Sequence, residues 1–200
     1  SLMRDHYEGT DYDMTQGIDA GMYCTPYRWR SETSVADASQ AFEVDGEVYA
    51  WERPISTQRA GFVKVTQSRD WLPDAVGGVS WYTMDDPYTS VFVPFYCDND
   101  NKPPSWSHSN RRKFDWDSAW WVYNFVSNLA YLQWNRMIPD VQAKQSELEN
   151  EFFAMQEAID TTAAELYKKS PELAKAYLSD YCVNAGESVV KQWRELGEFL

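Results

Sequence analysis

The sequence has little histidine, cysteine or positive charge. Its 200 residues hold 2 His and 3 Cys, with 18 Lys and Arg against 31 Asp and Glu, a formal net charge of −13. Nucleic-acid binding needs a Lys/Arg surface to neutralise phosphate, so this balance excludes that partner class. Cys24, Cys97 and Cys182 are odd in number, far apart and without a CxxC pair. Such spacing excludes a zinc ribbon or a disulfide framework and suits a reducing compartment such as the cytoplasm. Two His are too few for a His-rich metal site. No apolar run approaches the roughly 20 residues that cross a bilayer, so no membrane partner is expected. No basic-then-apolar leader opens the sequence, although an export leader lost upstream would leave no trace. What is abundant is aromatic: 16% of residues, with 10 Trp and 13 Tyr in a chain 44% hydrophobic. That content builds a core and rules out disorder.

The chain changes character near residue 114. Residues 1–113 read mainly as strands and turns, and residues 114–200 mainly as helices, so the expected class is α+β: an antiparallel meander followed by a helical layer. Ala41 to Trp51 has the pattern of a hairpin around Asp45-Gly46, a dipeptide suited to positive φ. Further strands are expected at Gly61 to Gln67, Gly78 to Met84 and Ser90 to Tyr96, giving a meander of at least four. Pro94 marks the last as an edge or a bulge. A helix capped by Asp115 or Asp117 should run to about Met137, with Trp121, Phe125, Leu129 and Leu132 along its buried stripe. Pro139 is placed to open the next helix, whose apolar side carries Val141, Leu148, Phe152, Met155, Ile159 and Leu166. Pro171 should open a short helix to about Tyr181, and Ser188 to Leu200 a last one.

Several groups could carry chemistry. Asp5, His6 and Glu8 could form an acid/base cluster or two metal ligands, although a His flanked by carboxylates is more often a hydrogen-bonded structural residue. Asp85-Asp86 could hold a substrate ammonium; paired carboxylates at a turn also serve as caps. Arg53, beside Ser56 and Thr57, could hold a substrate carboxylate, or merely bridge the sheet and the helices. Cys24 and Cys97 have no sequence-placed base to lower their pKa and read as buried, inert thiols. By themselves these residues disclose no reaction.

Six stretches in order carry a resemblance: MRDHYEGTDYDMT (3–15), PYRWR (26–30), WERPIST (51–57), GGVSWYTMDDPYTSVFVPFYC (77–97), WDSAWWVYNFVSNLAYL (116–132) and MIPDVQ (137–142). Together they resemble the C-terminal part of the bacterial cysteine dipeptidases typified by dipeptidase A, with the secernins as distant relatives. The resemblance implies an N-terminal-nucleophile hydrolase with an αββα sandwich, in which the thiolate of an amino-terminal Cys attacks the peptide carbonyl and its own α-amine is the base. It implies a dipeptide as substrate and no metal or cofactor. Cys24, Cys97 and Cys182 do not match that nucleophile, so the resemblance further implies a single partial domain over residues 1–200, inactive alone, with its nucleophile upstream. Asp85, Asp86, Arg53 and His6 are then the residues expected to meet the dipeptide. A non-catalytic peptide- or partner-binding remnant of the family is the competing expectation. A half-built sandwich would expose sheet edges, so self-association is expected as well.

Overall fold

The structure is a computed structural model that describes residues 2–26, 42–49 and 53–200. Strands β1 (Phe42–Val44) and β2 (Glu47–Tyr49) form a two-stranded antiparallel hairpin. Asp45 and Gly46 turn it with φ of 53° and 81°, the double positive φ that matches the twist of the flanking strands. The outer parts of the expected hairpin, Ala41, Ala50 and Trp51, lie outside the described residues, as do residues 27–30 of the PYRWR stretch.

A second, separate sheet contains β3 (Phe62–Ser68), β4 (Gly78–Met84) and β5 (Val93–Tyr96) in the order β3-β4-β5, all antiparallel. The expected single meander is therefore two sheets among the described residues. A four-residue helix, α1 (Asp74–Gly77), links β3 to β4. Pro94 sits on an edge strand, as its ring requires. The Cys97 N–H donates to the Gly78 carbonyl, so in the observed register the odd positions of β5 face β4, while Pro94 and Tyr96 face away. The Tyr96 N–H consequently reaches out to Cys182 Sγ at 3.3 Å, and Pro94 has no donor to lose there. Strand β5 begins at Val93 rather than Ser90, because the preceding backbone is claimed by side chains. Gln145 Nε2 donates to the Ser90 carbonyl (2.6 Å), and the Phe92 N–H donates to Glu149 (2.8 Å).

Three helices follow: α2 (Ala119–Leu132), α3 (Trp134–Lys169) and α4 (Pro171–Phe199). Each departs from its expected bounds for a local reason. Ser118, not an aspartate, precedes α2, and Asp115 instead accepts from the Asp117 N–H. The helix stops at Leu132 because Gln133 leaves helical geometry at φ −143°, ψ 63°. Pro139 lies inside α3; the hydrogen bond it removes falls on the carbonyl of exposed Asn135, where water can substitute. Helix α4 runs unbroken through Gly186, where a Cβ would come within 2.5 Å of Pro103 Cγ and where Trp106 Nε1 donates to the Gly186 carbonyl. Tertiary packing on that glycine overrides its poor helix propensity.

The buried face of α2 is also rotated from the expected stripe. Ala119, Val122, Tyr123, Val126 and Ala130 are buried, whereas Trp121, Phe125 and Leu129 are half-buried and Leu132 is exposed. Helix α4 approaches this face closely at Gly197, where a Cβ would lie 3.1 Å from both Phe125 and Val126. On α3, Val141, Leu148 and Ile159 are buried as expected, while Met155 is exposed. Helices α2 and α4 meet β5 and the chain before it in one core around Val93, Tyr123 and Trp193. A second core around Val79, Trp81 and Leu178 lies between the sheet, the far half of α3 and the start of α4. No helix among the described residues is long and apolar enough to cross a membrane.

Candidate functional site

The most concentrated polar chemistry in the interior lies where the first segment, the β4–β5 connection and α2 converge. After a short 3₁₀ turn at Leu2–Arg4, Asp5 and Glu8 fix the backbone around His6. Asp5 Oδ1 accepts from the Tyr7 N–H (2.7 Å), Glu8 Oε2 accepts from the His6 N–H (2.8 Å), and the Asp5 carbonyl accepts from the Ser56 N–H (3.1 Å). Tyr7 pays for this tight path with a φ of 64°. The His6 ring is wholly buried. It stacks on Tyr88 with centroids 4.2 Å apart and meets Trp134 edge-on at 5.5 Å. Among the described residues neither ring nitrogen has a hydrogen-bond partner of ordinary geometry; Nδ1 lies 3.4 Å from a Glu8 carboxylate oxygen. Burial lowers the His6 pKa, against the opposing pull of the Asp86 and Glu8 charges, so the imidazole is neutral near pH 7.

Asp86 is the centre of the cluster and is 0% exposed. It caps the 3₁₀ turn Pro87–Thr89, with Oδ1 accepting from the Tyr88 N–H (3.2 Å). The same oxygen accepts from Ser56 Oγ (2.8 Å), and Oδ2 accepts from the Tyr131 hydroxyl (2.8 Å). Among the described residues no Lys or Arg pairs with it. Its carboxylate is held by neutral donors, two from distant parts of the chain and the rest from its own turn. The same charge, together with burial, pushes the Tyr131 hydroxyl well above its ordinary pKa and keeps it a donor.

Asp85 adopts a φ of 62° to turn the end of β4 into this cap. Its N–H donates to the Gly61 carbonyl, and its carboxylate lies 3.3 Å and 3.4 Å from Asn124 Nδ2. Burial first, and the neighbouring Asp86 charge second, push its carboxyl up to about 7. Asp85 therefore titrates near neutrality, while Asn124 and the Asp86 N–H partly stabilise the anion.

Three of the four sequence-predicted residues thus converge: His6, Asp85 and Asp86. Arg53 does not join them. It is exposed, it makes no ion pair with either aspartate, and it contributes its carbonyl to the Tyr7 hydroxyl at 2.9 Å. The member of its stretch that reaches Asp86 is Ser56. Sequence reading also missed Asn124 and Tyr131. Part of their signal was present, because positions seven apart share one helix face and both are polar, as are Ser127 and Asn128 between them.

The cysteines separate into three environments. Cys182 is buried, and burial pushes its thiol up to about 11. Cys24 is half-buried beside Asn135, and Cys97 is exposed, contrary to the expected buried thiol, because it follows the last residue of edge strand β5. His108 is engaged elsewhere, by the Pro104 carbonyl and Asp115. No group of three or more His, Cys, Asp or Glu among the described residues is arranged to hold a metal ion.

A second buried polar cluster lies at the other end of the sheet. Arg69, at the exit of β3, makes a two-pronged pair with Asp160 of α3, and Asp160 also accepts from the Tyr96 hydroxyl (2.6 Å). The pair floors an open groove of about 560 Å³ walled by Trp71, Leu72, Phe153 and Lys168.

Residues 1–147 match the model of peptidase family C69. No curated protein matches the chain. The matched span contains the whole His6–Asp85–Asp86 cluster and ends within α3. The chain belongs to peptidase family C69 and is by family a hydrolase of the peptidase class.

Proposed function

We propose that, as a member of peptidase family C69, this chain forms part of a cysteine dipeptidase and supplies one wall of its substrate cleft. The observation that carries this reading is the family match across residues 1–147, which takes in the buried His6–Asp86 cluster. The nucleophile is assigned to an amino-terminal Cys other than Cys24, Cys97 and Cys182. In support, burial holds Cys182 as a thiol, and no His pairs with any of the three among the described residues. In the assigned reaction the thiolate adds to the dipeptide carbonyl and the Cys α-amine takes the thiol proton. The C–N bond then breaks with return of that proton to the leaving amine, and water hydrolyses the thioester to release the first amino acid.

A dipeptide carries a free ammonium and a free carboxylate. Arg53 is the one solvent-exposed member of the four residues, and its guanidinium suits the carboxylate. The ammonium faces the acidic side, where exposed Glu8 is held against His6 and the Asp86 charge lies behind that ring. His6, Asp85 and Asp86 are positioning residues in this scheme, because substrate cannot reach wholly buried carboxyl groups without displacing Ser56 or Tyr131.

The test is amino-acid release from a panel of dipeptides by the full gene product. Hydrolysis should survive in a Cys24→Ser/Cys97→Ser/Cys182→Ala variant, and Arg53→Ala or Asp86→Asn should raise KM more than they lower kcat. Loss of hydrolysis in the cysteine variant, with its fold intact by circular dichroism, would place the nucleophile within this chain. Dipeptide binding without any hydrolysis would favour a non-catalytic peptide-binding member of the family.

A further inference from the structure

We propose that the open groove over the Arg69–Asp160 pair binds a linear polyamine, with its end ammonium groups on Glu157 and Glu165 and its alkyl chain against Trp71 and Phe153. The groove offers about 560 Å³ between the exit of β3 and one face of α3. Its floor is already satisfied. The Arg69 guanidinium pairs with Asp160 and donates to the Gly77 and Val76 carbonyls, and Asp160 also accepts from the Tyr96 hydroxyl. The free charge lies on the rim: Glu157 and Glu165 are exposed, and among the described residues neither meets a cation.

Two aromatic faces stand open in the same groove. Trp71 is 74% exposed and, among the described residues, stacks on no other ring. Phe153 is 57% exposed, with the Trp81 ring 4.9 Å away. An exposed Trp beside carboxylates suits an alkylammonium: the ring face attracts the cation and covers its methylenes, and the carboxylates balance its charge. Spacing then selects the length of the ligand. Glu157 and Glu165 are eight residues apart on α3, about 12 Å along the axis. An extended triamine of the spermidine kind spans about 11 Å between its end nitrogens, given bonds of about 1.5 Å at about 111°. Its middle ammonium falls near Thr161, whose hydroxyl can accept from it. A diamine of the putrescine kind, at about 6 Å, reaches only one of the carboxylates. The net charge of −13 has the right sign, drawing polycations and repelling anions. Lys168, three residues beyond Glu165 and without an ion pair among the described residues, is the one exposed cation of the lining and opposes the ligand.

Calorimetric titration of the full gene product with spermidine at about 0.15 M salt tests the site. Saturable binding is expected, weakened about five- to ten-fold by Glu157→Gln/Glu165→Gln and about two- to five-fold by Trp71→Ala. Lys168→Gln should tighten it about two-fold, and putrescine should bind about ten-fold more weakly than spermidine. The control Asp140→Asn/Glu151→Gln removes two exposed carboxylates of α3 outside the groove and should change nothing. All of these side chains are exposed, so circular dichroism should show every variant folded. No saturable binding overturns the proposal. Equal weakening by the control and by the groove variants overturns it as well, because net charge would then be the whole attraction. Weaker binding in Lys168→Gln would mean an anionic or zwitterionic ligand, a short peptide included, and would overturn it too.

Discussion

Two largely buried carboxylates, Asp86 at 0% and Asp160 at 9% exposure, find their partners by different means. Asp160 is neutralised directly by the Arg69 guanidinium, with the Tyr96 hydroxyl as an additional donor. Asp86 has no cation beside it and relies on Ser56, Tyr131 and a backbone N–H. The first arrangement sets a guanidinium against the carboxylate, although after burial the Asp160 charge still helps to raise the Tyr96 and Tyr181 hydroxyls. The second leaves a field that is felt by neighbours, and its effects are visible: the Asp86 charge raises Asp85 and Tyr131 and opposes the lowering of His6. The two differ in the counter-ion: Asp160 has a guanidinium beside it and Asp86 does not, so the groups around Asp86 meet its charge with no neighbouring cation.

Breaking the ion pair should have the largest effect. Arg69→Met leaves Asp160 buried without its cation and should cost about 3–5 kcal/mol of unfolding free energy in urea titration. It should leave Asp85 unmoved. Asp86→Ala strands two hydroxyls and an amide and should cost about 2–4 kcal/mol; it should also shift the Asp85 carboxyl downward, read from its carbon-13 chemical shift. If Arg69→Met moved Asp85 as far as Asp86→Ala does, the contrast between a carboxylate with a counter-ion and one without would collapse.

Asp85 sharpens the contrast through pH. Its carboxyl is raised to about 7 in the folded chain from an ordinary 3.8, so between those values the native state keeps a proton that the unfolded state has released. Stability from this group therefore falls as pH rises from about 4 to about 7, with a slope no steeper than about 1.4 kcal/mol per pH unit. Stability curves for Asp85→Asn and wild type should diverge over that window and run parallel outside it. Parallel curves throughout would show that Asp85 titrates normally.

The smallest expected effect is a difference between two hydroxyl deletions. Tyr131→Phe removes one of the few donors to Asp86, whereas Tyr96→Phe leaves Asp160 its guanidinium. The former should be the more destabilising by about 1 kcal/mol. Equal costs would mean that the two carboxylates do not differ in how completely they are compensated.

How much of this was legible in sequence depends on the range of the interactions involved. The β1–β2 hairpin followed from Asp45-Gly46, since a two-residue turn is decided by the residues that make it. Strands β3 and β4 followed from alternation, and the edge position of β5 from Pro94. Helix limits were read less well. Pro139 and Gly186 each signal a boundary locally, yet both lie inside helices: the carbonyl that Pro139 leaves unbonded is on exposed Asn135, and packing on Pro103 and Trp106 outweighs about 1 kcal/mol of propensity at Gly186. The rotated stripe on α2 has the same origin: Trp121 and Phe125 fit helical spacing as well as Val122 and Val126, and the packing of distant elements against the helix buries the second pair.

The candidate site divides in the same way. Asp85-Asp86, Arg53 and His6 stood out by residue type, and the family was written in six ordered motifs. Composition alone determined that the chain is acidic and rich in aromatic residues, and the order of strand and helix patterns determined the α+β class. Only the tertiary structure decided that Ser56 and Tyr131, rather than Arg53, hold Asp86. Those partners are separated from it by 30 and 45 residues, and no local preference acts over such spans. They meet because the sheet and α2 bury their apolar faces together, and the desolvated carboxylate then takes whichever donors that packing brings within reach.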